Sequence, residues 1–249
     1  MRRLGALLVL ALSAGCTGSH VGNPAELTLA LTGFDGSAPG ALTLGSGIVV
    51  DEAWVVLDRV RLRTAEECGR HDETTDVPAP LAAELVSGRM LPARPELAAR
   101  PTTYCRVELQ FDDLDEGVLE GVPPDLAGRS VLVRGARADG VAFELATDVK
   151  DSFRLDAEDD PFALPAGATG LLVGFAMDEW LDAAELAGAE VGTRDGAPFV
   201  TIDDRANSGL HDSFRDAVRE SARLFRDENR DGQLNASERA LILGLGVLE

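Results

Sequence analysis

Short segments in which apolar and polar residues alternate are the feature that most restricts how this 249-residue chain can fold. The clearest is YCRVELQF, residues 104–111, and its apolar face consists of Cys105, Val107, Leu109 and Phe111. Side chains point to opposite faces of a strand at every step, so this pattern predicts a strand with one face in a core. A helix would need apolar residues every three or four positions instead.

Further strands follow the same rule downstream and upstream of this segment. Alternating or apolar runs occur at ELTLALTG, GSGIVVDEAWVVLDRVRLRT, SVLVRGAR, GVAFELAT and residues 152–155, 170–175 and 199–202. Asp139 and Gly140, between two of these runs, are typical of a hairpin turn because both tolerate positive φ. Seven or more short strands without long helices between them indicate an antiparallel sandwich or barrel. We expect a mainly β chain with a β-sandwich-like domain over residues 26–205.

The first 16 residues have the order of an export signal. Arg2 and Arg3 precede an apolar run, residues 4–12, that is too short to span a bilayer. Small residues then lead into Cys16. The segment LSAGC, residues 12–16, resembles the lipobox of bacterial lipoproteins, with its leucine one position further from the cysteine than usual.

This resemblance implies a lipid-anchored protein of the cell envelope. Residues 1–15 would be a signal peptide, and Cys16 would carry the lipid at the start of a small, polar tether, residues 16–25. The outer membrane or the periplasmic face is then the expected location, with the membrane as a partner through the anchor. An ordinary secretory signal cut nearby is the alternative, and it predicts export without an anchor.

The acidic charge of the chain excludes one class of partner. Lys and Arg total 23 against 43 Asp and Glu, which leaves a formal net charge of −20. No basic stripe offsets this charge, so a nucleic acid, itself a polyanion, would be repelled. The charge is compatible with cation binding and with an exposed, soluble surface.

Cys68 and Cys105 are the cysteines that follow the signal region. In an exported chain an even pair predicts a disulfide, and closing this loop is worth about 3.5–4 kcal/mol in the chain-entropy model. A catalytic thiol is the alternative, but nothing near either cysteine marks a nucleophile. We expect residues 64–103, rich in Pro and charge, to be a long loop with a short helix near residues 81–86, pinned by the disulfide.

The spacing of the apolar residues changes near residue 206. Apolar residues recur there at steps of three and four, which predicts an amphipathic helix. They are Leu210, Phe214, Val218, Ala222 and Phe225. The next segment, DENRDGQLNASE at residues 227–238, has side-chain oxygens at positions 1, 3, 5, 9 and 12 and a glycine at position 6. Residues 240–243 suggest a second short helix, so residues 206–249 are expected to form a small helix–loop–helix segment.

The twelve residues resemble the EF-hand calcium-binding loop position by position. The resemblance implies that calcium, which takes six to eight oxygen ligands, is the cofactor. The implied ligands are Asp227, Asn229, Asp231, the backbone carbonyl of Gln233, Asn235 (often through water) and Glu238 (through both oxygens). Gly232 matches the sharp turn at position 6, and Leu234 matches the apolar residue that packs under the loop.

The residues that flank the loop depart from the family pattern. Arg226 replaces the usual aromatic residue before the loop, and Arg239 replaces the usual apolar residue after it. No second loop with the necessary oxygens occurs, so the paired opening of calcium sensors is not expected. We expect the lone hand to pack on the β-domain and calcium to be structural.

Weaker patterns leave other function classes open. Acidic clusters at residues 112–116 and 156–160 could bind a further cation or supply the carboxylate pair of an envelope hydrolase, although loop solvation explains them more simply. Trp54 and Trp180 are expected in the core; exposed, either would favour a carbohydrate-binding module or surface adhesin. No zinc-hydrolase, nucleophile-elbow or phosphate-loop motif occurs. We therefore assign no catalytic residue and expect a binding or scaffold role toward an unknown envelope protein or glycan.

Overall fold

The structure is a computed structural model that describes residues 23–35, 42–68, 74–158, 160–181 and 183–247. The expected signal peptide, Cys16 and most of the tether lie outside these residues. Strands are the commonest element of the described residues and helices are few, so the prediction of a mainly β, broadly sandwich-like fold is confirmed. Among the described residues, no helix is both long and apolar enough to cross a membrane.

The described part of the chain contains sixteen strands, four α-helices and two short 3₁₀-helices, Ala65–Glu67 and Pro124–Leu126. The strands are β1 (Ala25–Phe34), β2 (Val49–Thr64), β3 (Thr74–Val77), β4 (Leu81–Glu84), β5 (Arg89–Leu91), β6 (Glu96–Ala99), β7 (Thr103–Phe111), β8 (Val131–Ala136), β9 (Ala142–Thr147), β10 (Ser152–Ala157), β11 (Phe162–Ala163), β12 (Gly167–Ala176), β13 (Gly192–Arg194), β14 (Ala197–Ile202), β15 (Ala222–Arg226) and β16 (Ile242–Val247). The helices are α1 (Met177–Trp180), α2 (Ala183–Ala187), α3 (Ser208–Ser221) and α4 (Ala236–Arg239).

The strands join one curled sheet in the order β13-β14-β9-β8-β2-β7-β10-β16-β15-β12-β1-β6. β3 and β4 also pair with β2, β5 pairs with β4, and β11 pairs with β7. The sheet is mixed rather than purely antiparallel, because β1 runs parallel to β12 and β14 runs parallel to β9. The last two strands of the chain, β15 and β16, lie in the interior of the sheet between β12 and β10.

A β-bulge decides which side chains of β2 enter the main core. Strict alternation predicts that Trp54 and Val60 share a face. The pairing of β2 with β7 shifts register between Leu57 and Arg59. The extra residue of this bulge reverses which face of the sheet each later side chain of β2 occupies. Val60 therefore joins the main core, whereas Trp54 packs on the opposite face. The buried cluster on that face consists of Trp54, Val56, Ala82, Leu114, Leu126 and Leu132.

The prediction of a long loop over residues 64–103 is wrong, and so is that of a helix near residues 81–86. Four strands, β3 to β6, occupy this stretch. All four residues of β4 are buried because the strand pairs with both β2 and β5. Those tertiary contacts outweigh the helix preference of its Leu and Ala residues. The predicted disulfide is present and joins Cys68 to Cys105, whose Cα atoms are 6.2 Å apart.

The C-terminal segment departs from the predicted helix–loop–helix in the elements next to the loop. The amphipathic helix α3 ends at Ser221, and the chain continues as β15, which buries Phe225 and pairs with β12. The second predicted helix, at residues 240–243, is replaced by the start of β16. Glycine suits this strand because a Cβ at Gly246 would lie 2.1 Å from the carbonyl oxygen of Arg219.

Candidate metal centre

The segment DENRDGQLNASE, called the 227–238 loop below, lies in the connection of a β-hairpin. β15 ends at Arg226, immediately before Asp227, and α4 begins at Ala236. α4 is about one turn long, and β16 then returns antiparallel to β15. Because both strands pair with further strands on their outer sides, each end of the connection is held by the sheet.

Asp227 carries an unpartnered oxygen atom in a buried setting. The residue is 2% exposed, and its N–H donates to the carbonyl oxygen of Gly170 (3.1 Å). Its Oδ2 accepts a hydrogen bond from the N–H of Gly232 (2.9 Å), whereas Oδ1 is buried and has no hydrogen-bond partner. Burial raises the pKa of Asp227, and hydrogen bonding from the backbone N–H groups of Gly232 and Arg230 lowers it. The charges of Glu238 and Asp231 raise it again, and the net pKa is above its ordinary value of 3.8. A bound cation would stabilise the charged form of such a carboxylate.

The middle of the loop is shaped by hydrogen bonds from its own side chains. Asn229 Oδ1 accepts from the N–H of Asp231 (3.1 Å), and Asp231 Oδ1 accepts from the N–H of Gln233 (2.8 Å). Asn229 Nδ2 also donates to Asp231 Oδ2 (2.8 Å). Arg230 and Gly232 have positive φ, 59° and 70°, so the chain turns sharply on both sides of Asp231. Asn229, Asp231 and Gln233 are all exposed.

Glu238 connects the two ends of the loop. It is 1% exposed, and its Oε1 accepts from the N–H of Glu228 (3.0 Å) while its Oε2 accepts from the N–H of Asn235 (3.1 Å). Asn235 Oδ1 in return accepts from the N–H groups of Ser237 (3.0 Å) and Glu238 (3.1 Å). This reciprocal arrangement is a capping box that starts α4. An ionised carboxylate offers about four acceptor sites, so each Glu238 oxygen keeps capacity for a metal ion.

The donors of the loop are not gathered into a preformed metal cluster. Nowhere in the described residues does the structure bring together three or more His, Cys, Asp or Glu side chains in a group that could hold a metal ion. Only Asp227, Asp231 and Glu238 of the predicted ligands are of these types; the others are two Asn side chains and a backbone carbonyl. All six predicted donors are oxygens, the type that calcium prefers, and they include the unpartnered Asp227 Oδ1. The donor set therefore fits calcium, with ligands that must close around the ion.

Two arginines attach the flanks of the loop to the sheet. Arg226 donates through Nη2 to the carbonyl oxygen of Ala163 (2.7 Å) and through Nη1 to Thr169 Oγ1 (3.4 Å). Arg239 donates to the carbonyl oxygen of Asp35, and its guanidinium carbon lies 5.0 Å from the centre of the Phe34 ring. Both arginines that depart from the EF-hand pattern therefore contact residues of the sheet or its edge. Leu234, as predicted for its position, is buried in the main core.

Two further residues adjoin the loop, and sequence reasoning missed both. Gly170 of β12 allows Asp227 to approach, because a Cβ there would lie only 2.5 Å from the Asp227 carbonyl oxygen. A glycine in the interior of a strand, such as Gly170 in β12, is a recognised signal of such close approach. Arg94, in the β5–β6 connection, donates through Nη1 to the carbonyl oxygen of Arg230 (3.2 Å). Nothing in the sequence around Arg94 marks this contact.

The acidic clusters have basic neighbours. Lys150 Nζ lies 3.0 Å from Asp112 Oδ1 and also contacts Asp113, and the hydrogen bond from Lys150 lowers the pKa of Asp113. In the second cluster, Arg106 Nε donates to Asp156 Oδ1 (2.5 Å). Asp159 lies outside the described residues. Three carboxylates of the two clusters are therefore paired with basic side chains.

Both tryptophans lie in the interior. Trp54 is 1% exposed and Trp180 is 3% exposed, so the prediction that they are core residues holds in the structure. The indole N–H of Trp54 donates to Glu52 Oε1 (2.7 Å), and that of Trp180 donates to Ser221 Oγ. Neither ring offers a face on which a sugar could stack.

Comparisons with known proteins give no relative: no protein-family model, no curated protein and no solved structure matches the chain.

Proposed function

We propose that this chain binds one calcium ion in the 227–238 loop and that the ion has a structural role. The observation that carries the proposal is the buried Asp227 Oδ1, which no hydrogen-bond donor satisfies. An unpartnered buried carboxylate oxygen is costly, and a divalent cation is the ligand that removes this cost most directly. The proposed ligands are Asp227, Asn229, Asp231, the carbonyl of Gln233, Asn235 and Glu238.

The bound ion would supply positive charge to a loop that has an excess of carboxylates. Asp227 and Glu238 are the two buried ligands, and Glu238 already holds the first and last turns of the loop through the N–H groups of Glu228 and Asn235. Asn229 and Asp231 lie on the exposed side, where they can turn toward an ion without repacking the core. Calcium tolerates such variable geometry better than smaller ions do.

The benefit of the ion would be a more stable hairpin. Ordering the connection between β15 and β16 costs backbone entropy, and β16 contributes few fully buried side chains to offset it. Sites in extracellular modules bind calcium at about 10⁻⁴–10⁻³ M. With a Kd near 0.1 mM and calcium near 1 mM, mass action gives about 1.4 kcal/mol of stabilisation. A stabilisation of this size is typical of a structural ion in a compartment where the calcium concentration stays constant.

The location that we propose is the cell envelope, on a lipid anchor at Cys16. Support comes from the order of Arg2, Arg3, the apolar run and the small residues before the cysteine. Metabolic labelling with a fatty acid should label the wild-type chain and not Cys16→Ser. Labelling that persists in Cys16→Ser would remove the anchor, and export without labelling would support the ordinary secretory signal.

The role that we propose is binding or scaffolding toward an envelope protein or glycan. The carbohydrate-binding alternative required an exposed Trp54 or Trp180, and both are buried. The hydrolase alternative needs two carboxylates that converge in a cleft; Asp112, Asp113 and Asp156 have basic partners, and no contact of the described residues adds support for such a pair. We therefore put neither alternative forward. Affinity capture from envelope extract, with and without chelator, tests whether any partner depends on calcium.

Titration calorimetry tests the calcium site itself. Wild-type chain, Asp227→Asn, Glu238→Gln and the control Glu120→Gln would each be titrated with calcium at one ionic strength. The two loop variants should lose the binding heat, and the control, which removes an exposed carboxylate elsewhere, should keep it. Asn at position 227 can still accept the bond from Gly232, so the loop should keep its fold. Equal heats in all four proteins would remove calcium from the proposal.

A further inference from the structure

Arg94 places a positive charge against the centre of the 227–238 loop. It belongs to the β5–β6 connection and reaches the loop across 136 positions of sequence to donate to the carbonyl oxygen of Arg230 (3.2 Å). A Cβ at Gly232 would lie 2.4 Å from the Arg94 Cζ and 2.6–2.7 Å from its two Nη atoms. The guanidinium therefore lies directly on the bare Cα of Gly232, next to Asp231.

The position of this charge matters because the surrounding charges nearly cancel. Residues 227–238 contain the four carboxylates of Asp227, Glu228, Asp231 and Glu238 and the single cation of Arg230. The contacts of Arg94, Arg226 and Arg239 add three more cations at the loop or its flanks. In a chain whose net charge is −20, this region is locally close to neutral. A calcium ion entering it would meet less attraction than the loop sequence alone implies.

We infer that Arg94 sets the calcium affinity of the loop: its charge weakens binding and keeps the site in the weak range. The inference rests on the proposed calcium site. Arg94 acts on the ion through the field of its charge and is not itself a ligand. Arg226 and Arg239 carry the same charge, but they hold the flanks to β11, β12 and β1, so removing them would also detach the loop. Arg94 contacts the centre of the loop, so its charge can be removed without detaching either flank of the loop from the sheet.

The test is a set of charge variants titrated with calcium. Arg94→Gln removes the charge and keeps an amide that can donate a hydrogen bond, whereas Arg94→Lys keeps the charge and loses the planar fork. Arg205→Gln is the matched control, because it makes the same change in net charge at a side chain that is 90% exposed and borders β14 rather than the loop. At a solvated surface, Coulomb's law predicts that a divalent ion binds on the order of three- to tenfold more tightly when the repelling charge is lost in Arg94→Gln.

Affinity and salt dependence together decide the outcome. Arg94→Lys and Arg205→Gln should bind within about twofold of wild type, and the gain in Arg94→Gln should shrink as sodium chloride rises to about 1 M, where the Debye length is about 3 Å. An unchanged or weaker affinity in Arg94→Gln overturns the inference. So does an equal gain in Arg94→Lys, which would assign the effect to the hydrogen bond instead of the charge. If wild type binds no calcium, the proposed function itself fails, a result distinct from these two.

Discussion

Replacing Gly170 with alanine tests how the sheet positions the buried ligand. The added Cβ would lie 2.5 Å from the carbonyl oxygen of Asp227, 2.9 Å from the Asp227 Cβ and 3.1 Å from Arg230 Cγ. The two nearest atoms are backbone and the first side-chain carbon, which cannot swing aside. Ordinary contact begins near 3.4 Å, so β12 and the start of the loop must separate by about 1 Å.

The expected loss of stability is about 1–3 kcal/mol. Overpacking of this kind typically costs about 1–3 kcal/mol, and weakening the bond from the Asp227 N–H to the Gly170 carbonyl oxygen adds about 1 kcal/mol. The lower chain entropy of alanine in the unfolded state offsets about 0.4–1 kcal/mol. The same displacement moves Asp227 Oδ1 away from the ion, so the calcium-dependent stabilisation of about 1.4 kcal/mol should also shrink.

Urea unfolding in 1 mM calcium and in chelator separates these two effects. Gly209→Ala is the control, because a Cβ there meets no atom within 4 Å and the residue lies in α3; it should stabilise the fold by about 0.5–1 kcal/mol in both buffers. Gly170→Ala should be destabilised in chelator and more so in calcium. Stability equal to that of Gly209→Ala would refute the close approach. A loss in chelator with the full calcium increment retained would refute the role of Asp227 as a ligand.

Two further predictions concern the rest of the sheet. Replacing Cys68 and Cys105 together by serine should lower the free energy of unfolding by about 3.5–4 kcal/mol, because the disulfide closes a loop with a sequence separation of 37. Urea unfolding of the variant and of wild type measures this loss, and a reductant should abolish the difference between the two proteins. Glu144 accepts bonds from Arg134 and Arg194; burial raises its pKa, but the two guanidiniums lower it more, so the net pKa is below its ordinary 4.5. The stabilisation of the fold by ionised Glu144 is therefore present near neutral pH and is lost as the pH falls through the lowered pKa. Glu144→Gln should be less stable than wild type at pH 7 and as stable as wild type at about pH 2. A difference in stability that does not change with pH would contradict the pairing.

The longer strands could be predicted from local alternation, but β3 to β6, β15 and β16 could not, and neither could the faces and partners of the strands. The hairpin at Asp139 and Gly140 follows from turn chemistry: Gly140 has a φ of 83° and its N–H donates to the Arg137 carbonyl oxygen, whereas Asp139 does not take the positive φ that the sequence allowed it. The face of Val60 depends on a bulge opposite β7, which no local pattern records. β4 forms because β2 and β5 lie on either side of it. Its Leu and Ala residues alone favour a helix.

The candidate site divides in the same way between local and distant determinants. The spacing from Asp227 to Glu238 is local, so the sequence predicts the capacity of these residues to bind calcium. The elements on either side of the loop are decided by the sheet: Phe225 continues the helical pattern of α3 but is buried in β15 against β12. Gly170 stands out in the sequence as a glycine in a strand, but its contact with Asp227, like that of Arg94 with Arg230, is identified only by the tertiary structure.

The hairpin setting determines what a calcium ion in this loop could change. In a paired calcium sensor the ion alters the angle between two helices, which are free to move as rods. Here the loop joins strands that pair with each other and also with β12 and β10. Moving either strand would break backbone hydrogen bonds on two sides at once, a cost far above the roughly 1.4 kcal/mol that weak calcium binding supplies. Calcium bound at the 227–238 loop would therefore change how often β16 and the loop open locally, and hydrogen exchange of their amides should slow with calcium while the exchange of β8 and β9 stays the same.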